Sequence, residues 1–216
     1  MTAEALFEQM DFREDPLLEK MISDISEYHY SIIDDFFSEE EIALFRTSLL
    51  SKYEEDRFKK SAIGDHFHEQ IKAGIRGDFI LWINEQEASA AEKRFFDRIN
   101  HMVSYLNRTC FMGILQKEFH YALYPEGTFY KRHLDTFQND DRRKLSMVCY
   151  LNDHDWKLEN GGELRIFFEE NGKESFTDIC PMPGRVVIFE SQLLEHEVRT
   201  VLASERLSIT GWMKTR

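Results

Sequence analysis

The sequence predicts a mostly β (α+β) fold with flanking helices, of the jelly-roll or another closed β type. Short apolar segments follow one another through the second half of the chain, separated by turn signals such as Pro-Glu-Gly at 125–127 and Asn-Gly at 171–172. Many short, evenly punctuated strands are typical of such folds. Helical periodicity is confined to the first half. At 216 residues, the chain is expected to form one domain around a single core.

Three helices are predicted in the first half. Residues 1–27 carry apolar side chains at roughly helical spacing, and packing of this helix on the core is favoured over a role as a partner-binding segment. Ser38 and Glu41 have the spacing of a capping box that begins a second helix, and residues 88–108 form a third. The inward-facing residues of the second and third helices are Ile42, Phe45, Leu49, Phe95, Ile99, Met102 and Leu106.

Strands are predicted wherever β-branched and aromatic residues cluster between turn signals. A charged segment, 51–75, is interpreted as a connection. The Asn-Gly dipeptide at 171–172 predicts a hairpin with a type I′ turn. The predicted strands are 31–33, 76–83, 119–124, 129–135, 145–151, 163–168, 175–180, 185–189, 196–201 and 207–212.

Composition excludes several functional classes. The net charge of −13 argues against nucleic acid, whose phosphates require a basic surface. No apolar run approaches the roughly 18–20 residues that span a membrane, and the N-terminus lacks the pattern of a secretory signal. The cysteines Cys110, Cys149 and Cys180 show no C-x-x-C spacing, which argues against a disulfide scaffold or structural zinc. The cytoplasm is the expected compartment, with Cys149 as a small core residue.

The segment 124–135, Y-P-E-G-T-F-Y-K-R-H-L-D, carries the first candidate site residues. Side chains two apart on a strand share a face, so His133 and Asp135 are expected to point the same way and Leu134 into the opposite layer. An imidazole beside a carboxylate supplies two of the three ligands of the facial triad that holds non-haem Fe(II). His196, from a distant strand, is the candidate third ligand. A single HxD is a short motif with a high rate of chance occurrence, so order and spacing carry the argument.

Arg206, Ser208 and Thr210 share one face of a predicted strand that follows His196. A guanidinium pairs bidentately with a carboxylate, and hydroxyls add neutral hydrogen bonds. The neighbouring Leu207 suggests a buried strand, where an arginine needs a partner, although a surface salt bridge is the alternative. Metal ligands together with an anion-binding arginine favour an Fe(II)- and 2-oxoglutarate-dependent oxygenase.

The D-H-F-H-E segment at 65–69 is a rival metal site. His66 and His68 would share a face if this segment were a strand. The charged residues around it instead indicate a solvated loop.

The second half of the chain resembles the prolyl 4-hydroxylase family of 2-oxoglutarate/Fe(II) dioxygenases, particularly the hypoxia-inducible-factor prolyl hydroxylases and their bacterial homologues. The resemblance covers roughly residues 75–214 in the family's order and implies a double-stranded β-helix (jelly roll, cupin-like). The matching segments are I-R-G-D-F-I-L-W-I (75–83), Y-P-E-G-T-F-Y-K-R-H-L-D (124–135), Y-L-N (150–152), G-G-E-L-R-I-F (161–167), G-R-V-V-I-F (184–189), H-E-V (196–198) and R-L-S-I-T-G-W (206–212).

The resemblance also implies roles for individual residues. Iron would be bound by His133, Asp135 and His196. The cosubstrate 2-oxoglutarate would be bound by Arg206, Tyr150 and Thr210, with Tyr124 lining its pocket. O2 would be the second cosubstrate and ascorbate a candidate stimulant, and the substrate would be a prolyl residue in a loop of a partner protein. The residues implied on the substrate side are Arg76, Asp78, Arg143 and Trp212.

The implied domain comprises an N-terminal helical extension (1–30), a helical buttress with the first strands (31–110) and a catalytic jelly-roll core (111–216). Two departures from the family leave the substrate open. Residues 138–142 lengthen the loop after Asp135, and residues 84–91, where the substrate-covering loop is expected to begin, lack a family recognition sequence. The alternatives are an oxygenase acting on a small molecule or free amino acid, a non-oxidative cupin-like metalloenzyme, and a catalytically silent binding module.

Overall fold

Two antiparallel β-sheets face each other, and helices cover the outer face of the larger sheet. The structure is a computed structural model, which describes residues 13–61, 74–136 and 142–215. Within these ranges no helix is both long enough and apolar enough to cross a membrane. The rival histidine cluster at 65–69 and most of the lengthened loop at 138–142 lie outside the described residues.

The described residues form three α-helices and eleven strands. The helices are α1 (Pro16–Tyr28), α2 (Glu39–Glu54) and α3 (Ala90–Thr109). The strands are β1 (Tyr30–Ile33), β2 (Lys59–Lys60), β3 (Phe79–Ile83), β4 (Gln116–Tyr124), β5 (Tyr130–His133), β6 (Arg143–Tyr150), β7 (Leu164–Glu170), β8 (Lys173–Ile179), β9 (Val186–Glu190), β10 (His196–Val198) and β11 (Arg206–Lys214).

The larger sheet has the strand order β1-β9-β6-β11-β4-β3-β2, and the smaller sheet has the order β5-β10-β7-β8. The central strand of the larger sheet, β11, lies between β4 and β6, with Arg206 opposite Tyr124 and Ser208 opposite Tyr150. Because side chains alternate along strands, the polar residues of these three strands share one face. That face is the inner one, directed at the smaller sheet, and the jelly-roll prediction is confirmed.

An aromatic cluster joins the helices to the outer face of the larger sheet. Phe95 of α3 is fully buried and lies against Phe37, Phe45 of α2 and Phe119 of β4, with ring centroids 5.0–5.8 Å apart. Edge-to-face and offset-stacked geometries of this kind are favourable for aromatic pairs. The helical side of the sheet is therefore a packed core, which leaves the opposite face for a site.

The helices begin where side chains can cap them. Ser38 and Glu41 form the predicted capping box, and Ser89 with Glu92 forms a second one at α3. All the predicted inward-facing residues of α2 and α3 are buried. Of the helix predicted at 1–27, residues 1–12 lie outside the described residues. The described part forms α1, whose first turn is capped by the Asp15 carboxylate, which accepts hydrogen bonds from the Leu17 and Leu18 amides.

Helix α1 packs on the core, as predicted. Leu18 and Met21 are buried in the same cluster as the other helices. The predicted hairpin at Asn171-Gly172 also forms, with both residues at positive φ (53° and 73°) as a type I′ turn requires.

The boundaries of other elements differ from the sequence expectation. The predicted connection at 51–75 is wrong at its start, since α2 continues to Glu54 and Lys59–Lys60 pairs with β3. The buried Phe58 draws this segment onto the sheet. Residues 84–91, expected to begin a covering loop, form a 3-10 turn and the capped start of α3.

Candidate active site

Three potential metal ligands from two neighbouring strands and one loop meet on the inner side of the smaller sheet. His133 ends β5 and is paired directly with His196 at the start of β10. Asp135 Oδ1 lies 3.5 Å from His133 Nε2, and its Oδ2 lies 3.5 Å from His196 Nε2. One donor atom from each residue lies within 4.8 Å of the others. This arrangement matches the donor set of two histidines and one carboxylate that suits non-haem Fe(II).

His133 and Asp135 lie together, but strand alternation is not what brings them together. Strand β5 ends at His133, so Asp135 is not on a strand, and Leu134 is 38% exposed rather than turned into an opposite layer. The position of Asp135 is fixed instead by the larger sheet. Ser146 of β6 donates a hydrogen bond to Asp135 Oδ2 at 2.8 Å, and Ser191 lies 2.8 Å from Ser146 Oγ.

Backbone carbonyls orient both imidazoles. His133 Nδ1 lies 2.7 Å from the Lys131 carbonyl oxygen, and His196 Nδ1 lies 3.2 Å from that of Leu194. A carbonyl can only accept, so each Nδ1 carries the proton and donates it. In the neutral imidazoles, Nε2, the ring nitrogen 3.5 Å from an Asp135 oxygen, then keeps the lone pair that could bind a metal. Outer hydrogen bonds of this kind fix the tautomer of metal-binding histidines.

The electrostatics favour the ligand forms of these groups. Burial would raise the pKa of Asp135, but the neighbouring His196 and His133 hold it well below its usual range. Burial lowers the pKa of His196 to about 4 against the opposing charge of Asp135. At neutral pH the cluster therefore offers an ionised carboxylate and a neutral His196 imidazole.

A stack of side chains supports His133 from outside the cluster. The Tyr130 ring is parallel to the His133 imidazole, with centroids 3.7 Å apart, and the Arg76 guanidinium lies 4.3 Å from the Tyr130 ring centre. Arg76 donates two hydrogen bonds to the fully buried Asp78 at 2.8 and 2.6 Å. Burial would raise the pKa of Asp78, but Arg76 holds it below its usual range. This pair, predicted on the substrate side, therefore lies against the ring that packs on a candidate ligand.

Arg143 and Trp212 adjoin the other side of the cluster. The Arg143 guanidinium lies 3.8 Å from the Trp212 ring centre, and its Nη1 donates to the Asp135 carbonyl oxygen at 3.2 Å. Their predicted role at the substrate entrance stays a prediction.

Arg206 is 1% exposed on the inner face of the larger sheet. Its Nε donates to the Gly162 carbonyl oxygen at 2.8 Å, and its guanidinium carbon lies 5.1 and 4.9 Å from the ring centres of Tyr124 and Tyr150. Within the described residues it forms no ion pair with a carboxylate. A buried cation without a carboxylate partner is costly, so the pocket suits an anion from outside.

Tyr150 adds a second polar group to this pocket. No described residue accepts a hydrogen bond from its buried hydroxyl. Burial raises the pKa of this hydroxyl against the opposing charge of the adjacent Arg206, so it stays a neutral donor. Thr210 lies farther along the same face, with its hydroxyl 3.3 Å from that of Ser208. The predicted shared face of Arg206, Ser208 and Thr210 is confirmed by the strand register.

His120 is a site-facing residue that the sequence analysis missed. It is 3% exposed and lies between Trp82 and Trp212, with ring centroids 4.9 and 5.4 Å away. Burial and the Arg76 charge lower its pKa to about 3, while the Asp78 and Asp135 carboxylates oppose the shift. A lone histidine within an apolar strand carries no signal that would distinguish it from a core residue.

This histidine makes the apo fold sensitive to acid. Its folded pKa lies below the unfolded value of about 6.5, so the unfolded state binds more protons and stability falls as pH drops below about 6.5. At pH 5 the resulting loss in the free energy of unfolding is about 2 kcal/mol. We expect His120→Phe, which keeps the aromatic stack, to lose less stability than the wild type between pH 7.5 and 5. Urea unfolding at both pH values measures this, and equal losses would contradict it.

Comparison with known proteins decides the family. The model for the 2OG-Fe(II) oxygenase superfamily matches residues 119–214. A crystal structure of a prolyl-4-hydroxylase from Pseudomonas putida is 33% identical, covers 93% of this chain and 100% of its own, and has a TM-score of 0.81. The chain belongs to this family of 2-oxoglutarate/Fe(II) oxygenases. Family members use Fe(II), 2-oxoglutarate and O2. The cluster of His133, Asp135 and His196 fits the metal, and the pocket around Arg206 fits the carboxylate of 2-oxoglutarate.

Two further proteins are similar to this chain. A prolyl hydroxylase from Trichoplax adhaerens, solved in complex with a peptide of the hypoxia-inducible factor oxygen degradation domain, has the same fold, with a TM-score of 0.83 at 24% identity and coverage of 100% of this chain and 94% of its own. A hypoxia-inducible factor prolyl hydroxylase from Caenorhabditis elegans is 26% identical over 218 residues, which cover 91% of this chain. The chain spans only 28% of that relative's length.

Proposed function

We propose that this protein is a 2-oxoglutarate- and Fe(II)-dependent dioxygenase that hydroxylates a prolyl residue in a loop of a partner protein. The observation that carries the proposal is a three-ligand cluster beside an inner sheet face that also holds a buried guanidinium without a carboxylate partner. The overall change would be 2-oxoglutarate, O2 and a C–H group giving succinate, CO2 and a C–OH group. Fe(II), when bound, would supply the redox chemistry that places one oxygen atom of O2 in succinate and the other in the new hydroxyl group.

The side chains of this protein would bind and orient the reactants. His133, Asp135 and His196 would hold the metal, since two histidines and one carboxylate suit Fe(II). Arg206 and Tyr150 would bind the far carboxylate of 2-oxoglutarate, with the remaining candidates Tyr124 and Thr210 lining the pocket. Ascorbate would be a stimulant of this reaction.

The proline substrate is supported by the relatives and by the residues around the cluster. The Pseudomonas putida structure is a prolyl-4-hydroxylase, and the Trichoplax adhaerens enzyme was captured with a peptide. Arg76, held by Asp78, packs on the Tyr130 ring that stacks on His133, while Arg143 lies on Trp212 and donates to the Asp135 carbonyl. We assign these four residues to the substrate side. The three free cysteines suit the reducing cytoplasm, which we propose as the compartment.

Succinate formation tests the proposal. The purified protein is supplied with Fe(II), 2-oxoglutarate and O2, and succinate is measured by NMR with a proline-containing protein extract, with free proline, or with neither. Stimulation by the protein extract, with a hydroxylated proline found by mass spectrometry, is the expected result. Stimulation by free proline alone would favour the small-molecule oxygenase. No conversion under any condition would favour a non-oxidative metalloenzyme or a silent binding module.

The hydrogen bond from Ser146 to Asp135 is expected to tune metal affinity. Ser146→Ala removes the donor that holds Oδ2 and should weaken binding of Mn(II), used in place of Fe(II), by roughly 10- to 100-fold. Titration calorimetry measures the affinity. Ser48→Ala, which alters a distant hydroxyl pair with Tyr121, is the matched control and should bind as the wild type. Equal affinity of both variants would reject the role of Ser146.

A further inference from the structure

A tryptophan beside Arg206 has a polar atom that the fold leaves without a partner. Trp156 is 6% exposed, and its Nε1 is buried with no hydrogen-bond acceptor among the described residues. The indole N–H can only donate. Buried donors without an acceptor are rare in folded proteins, and each one calls for an explanation such as a bound ligand.

At Gly162 this indole lies close to the aliphatic part of the Arg206 side chain. The glycine has a φ of +70°, and a Cβ at this position would lie 3.0 Å from Arg206 Cδ and 3.6 Å from Trp156 Cζ2. Cζ2 is bonded to the ring carbon that carries Nε1, so the polar edge of the indole is close to the same glycine. Trp156 belongs to the same apolar cluster as Tyr124 and Val201.

We propose that Trp156 donates its indole N–H to the far carboxylate of 2-oxoglutarate, alongside Arg206 and Tyr150. This inference rests on the proposed function and adds a residue to its cosubstrate site. A carboxylate has about four lone-pair positions. The donors would be the Nη groups of Arg206, the Tyr150 hydroxyl beside its guanidinium and the Trp156 indole beside its aliphatic stem. One anion would thus satisfy two buried orphan donors and one buried cation together.

A single substitution removes the donor and keeps most of the ring. Trp156→Phe should weaken 2-oxoglutarate binding to the Mn(II)-loaded protein by roughly 10- to 100-fold, the usual effect of losing a hydrogen bond to a charged group. The variant should bind 2-oxopentanoate, which has a methyl group in place of the far carboxylate, with the same affinity as the wild type. Trp82→Phe, at a half-exposed position, is the matched control and should bind both acids as the wild type.

Titration calorimetry distinguishes two kinds of failure. If the wild type fails to bind 2-oxoglutarate, the proposed function itself fails. If the wild type binds it and Trp156→Phe binds it equally well, only the role of Trp156 is overturned. Equal weakening for both keto acids would indicate a packing role and would also overturn the proposal.

NMR tests the contact without altering Trp156, in case the variant does not fold. The sequence has three tryptophans, so the Zn(II)-loaded, ¹⁵N-labelled protein should give three indole signals. These are assigned by the signals lost in Trp82→Phe and Trp212→Phe. The Trp156 indole proton should move downfield with 2-oxoglutarate and not with 2-oxopentanoate. An unmoved signal in the presence of bound 2-oxoglutarate would overturn the inference.

Discussion

A His133→Ala variant is expected to fold and to lose conversion of 2-oxoglutarate to succinate. The variant removes one of three candidate ligands, and the two that remain, Asp135 and His196, do not make a facial triad. Loss of a residue that hydrogen-bonds to a metal ligand typically lowers metal affinity or activity 10- to 100-fold. Loss of the ligand itself should therefore reduce turnover by more than about 100-fold. Succinate formation at saturating Fe(II) measures the effect.

A matched control separates the loss of a ligand from the loss of a histidine. His154 is exposed and lies outside the cluster, so His154→Ala should keep wild-type turnover. Thermal unfolding without metal should be similar for both variants, since His133 is only partly buried and its Tyr130 stack lies at the sheet edge. Addition of metal should raise the melting temperature of His154→Ala and not that of His133→Ala. Succinate formation retained by His133→Ala with added iron would refute the ligand role.

Local sequence patterns were sufficient to predict the sheet face that carries the candidate 2-oxoglutarate site. Alternation along β11 placed Arg206, Ser208 and Thr210 together, and the strand register agrees. Capping at Ser38 and the turn at Asn171-Gly172 are equally local, because the residues that form them are adjacent in sequence. Such features can be predicted because both partners lie within a few residues.

Features that depend on distant partners could not be predicted from local pattern. The pairing of His196 with His133 joins two short strands far apart in sequence, and no local rule specifies that choice. Asp135 owes its position to Ser146 on the other sheet rather than to strand alternation. Trp156 was missed because a tryptophan in a loop has no motif. Its significance appears only when its indole is found beside Arg206 with no acceptor.

Replacing Arg206 with methionine should abolish recognition of 2-oxoglutarate without destabilising the empty protein. The Nε of Arg206 is held by the Gly162 carbonyl, which leaves the Nη groups for a carboxylate. Two hydrogen bonds to a charged group are worth about 3–6 kcal/mol, so the Michaelis constant for 2-oxoglutarate should rise by at least roughly 100-fold. Lysine should not restore binding, since one ammonium cannot reproduce the planar pairing.

The stability of the Arg206→Met variant gives an independent test. Methionine fills a similar volume and removes a buried charge that has no carboxylate partner among the described residues, so the empty variant should melt at or above the wild-type temperature. Addition of 2-oxoglutarate should then stabilise the wild type and not the variant. Arg199→Met, at an exposed position, is the control and should respond as the wild type. An unchanged Michaelis constant in Arg206→Met would reject the assignment, because the cation would then serve the fold rather than the keto acid.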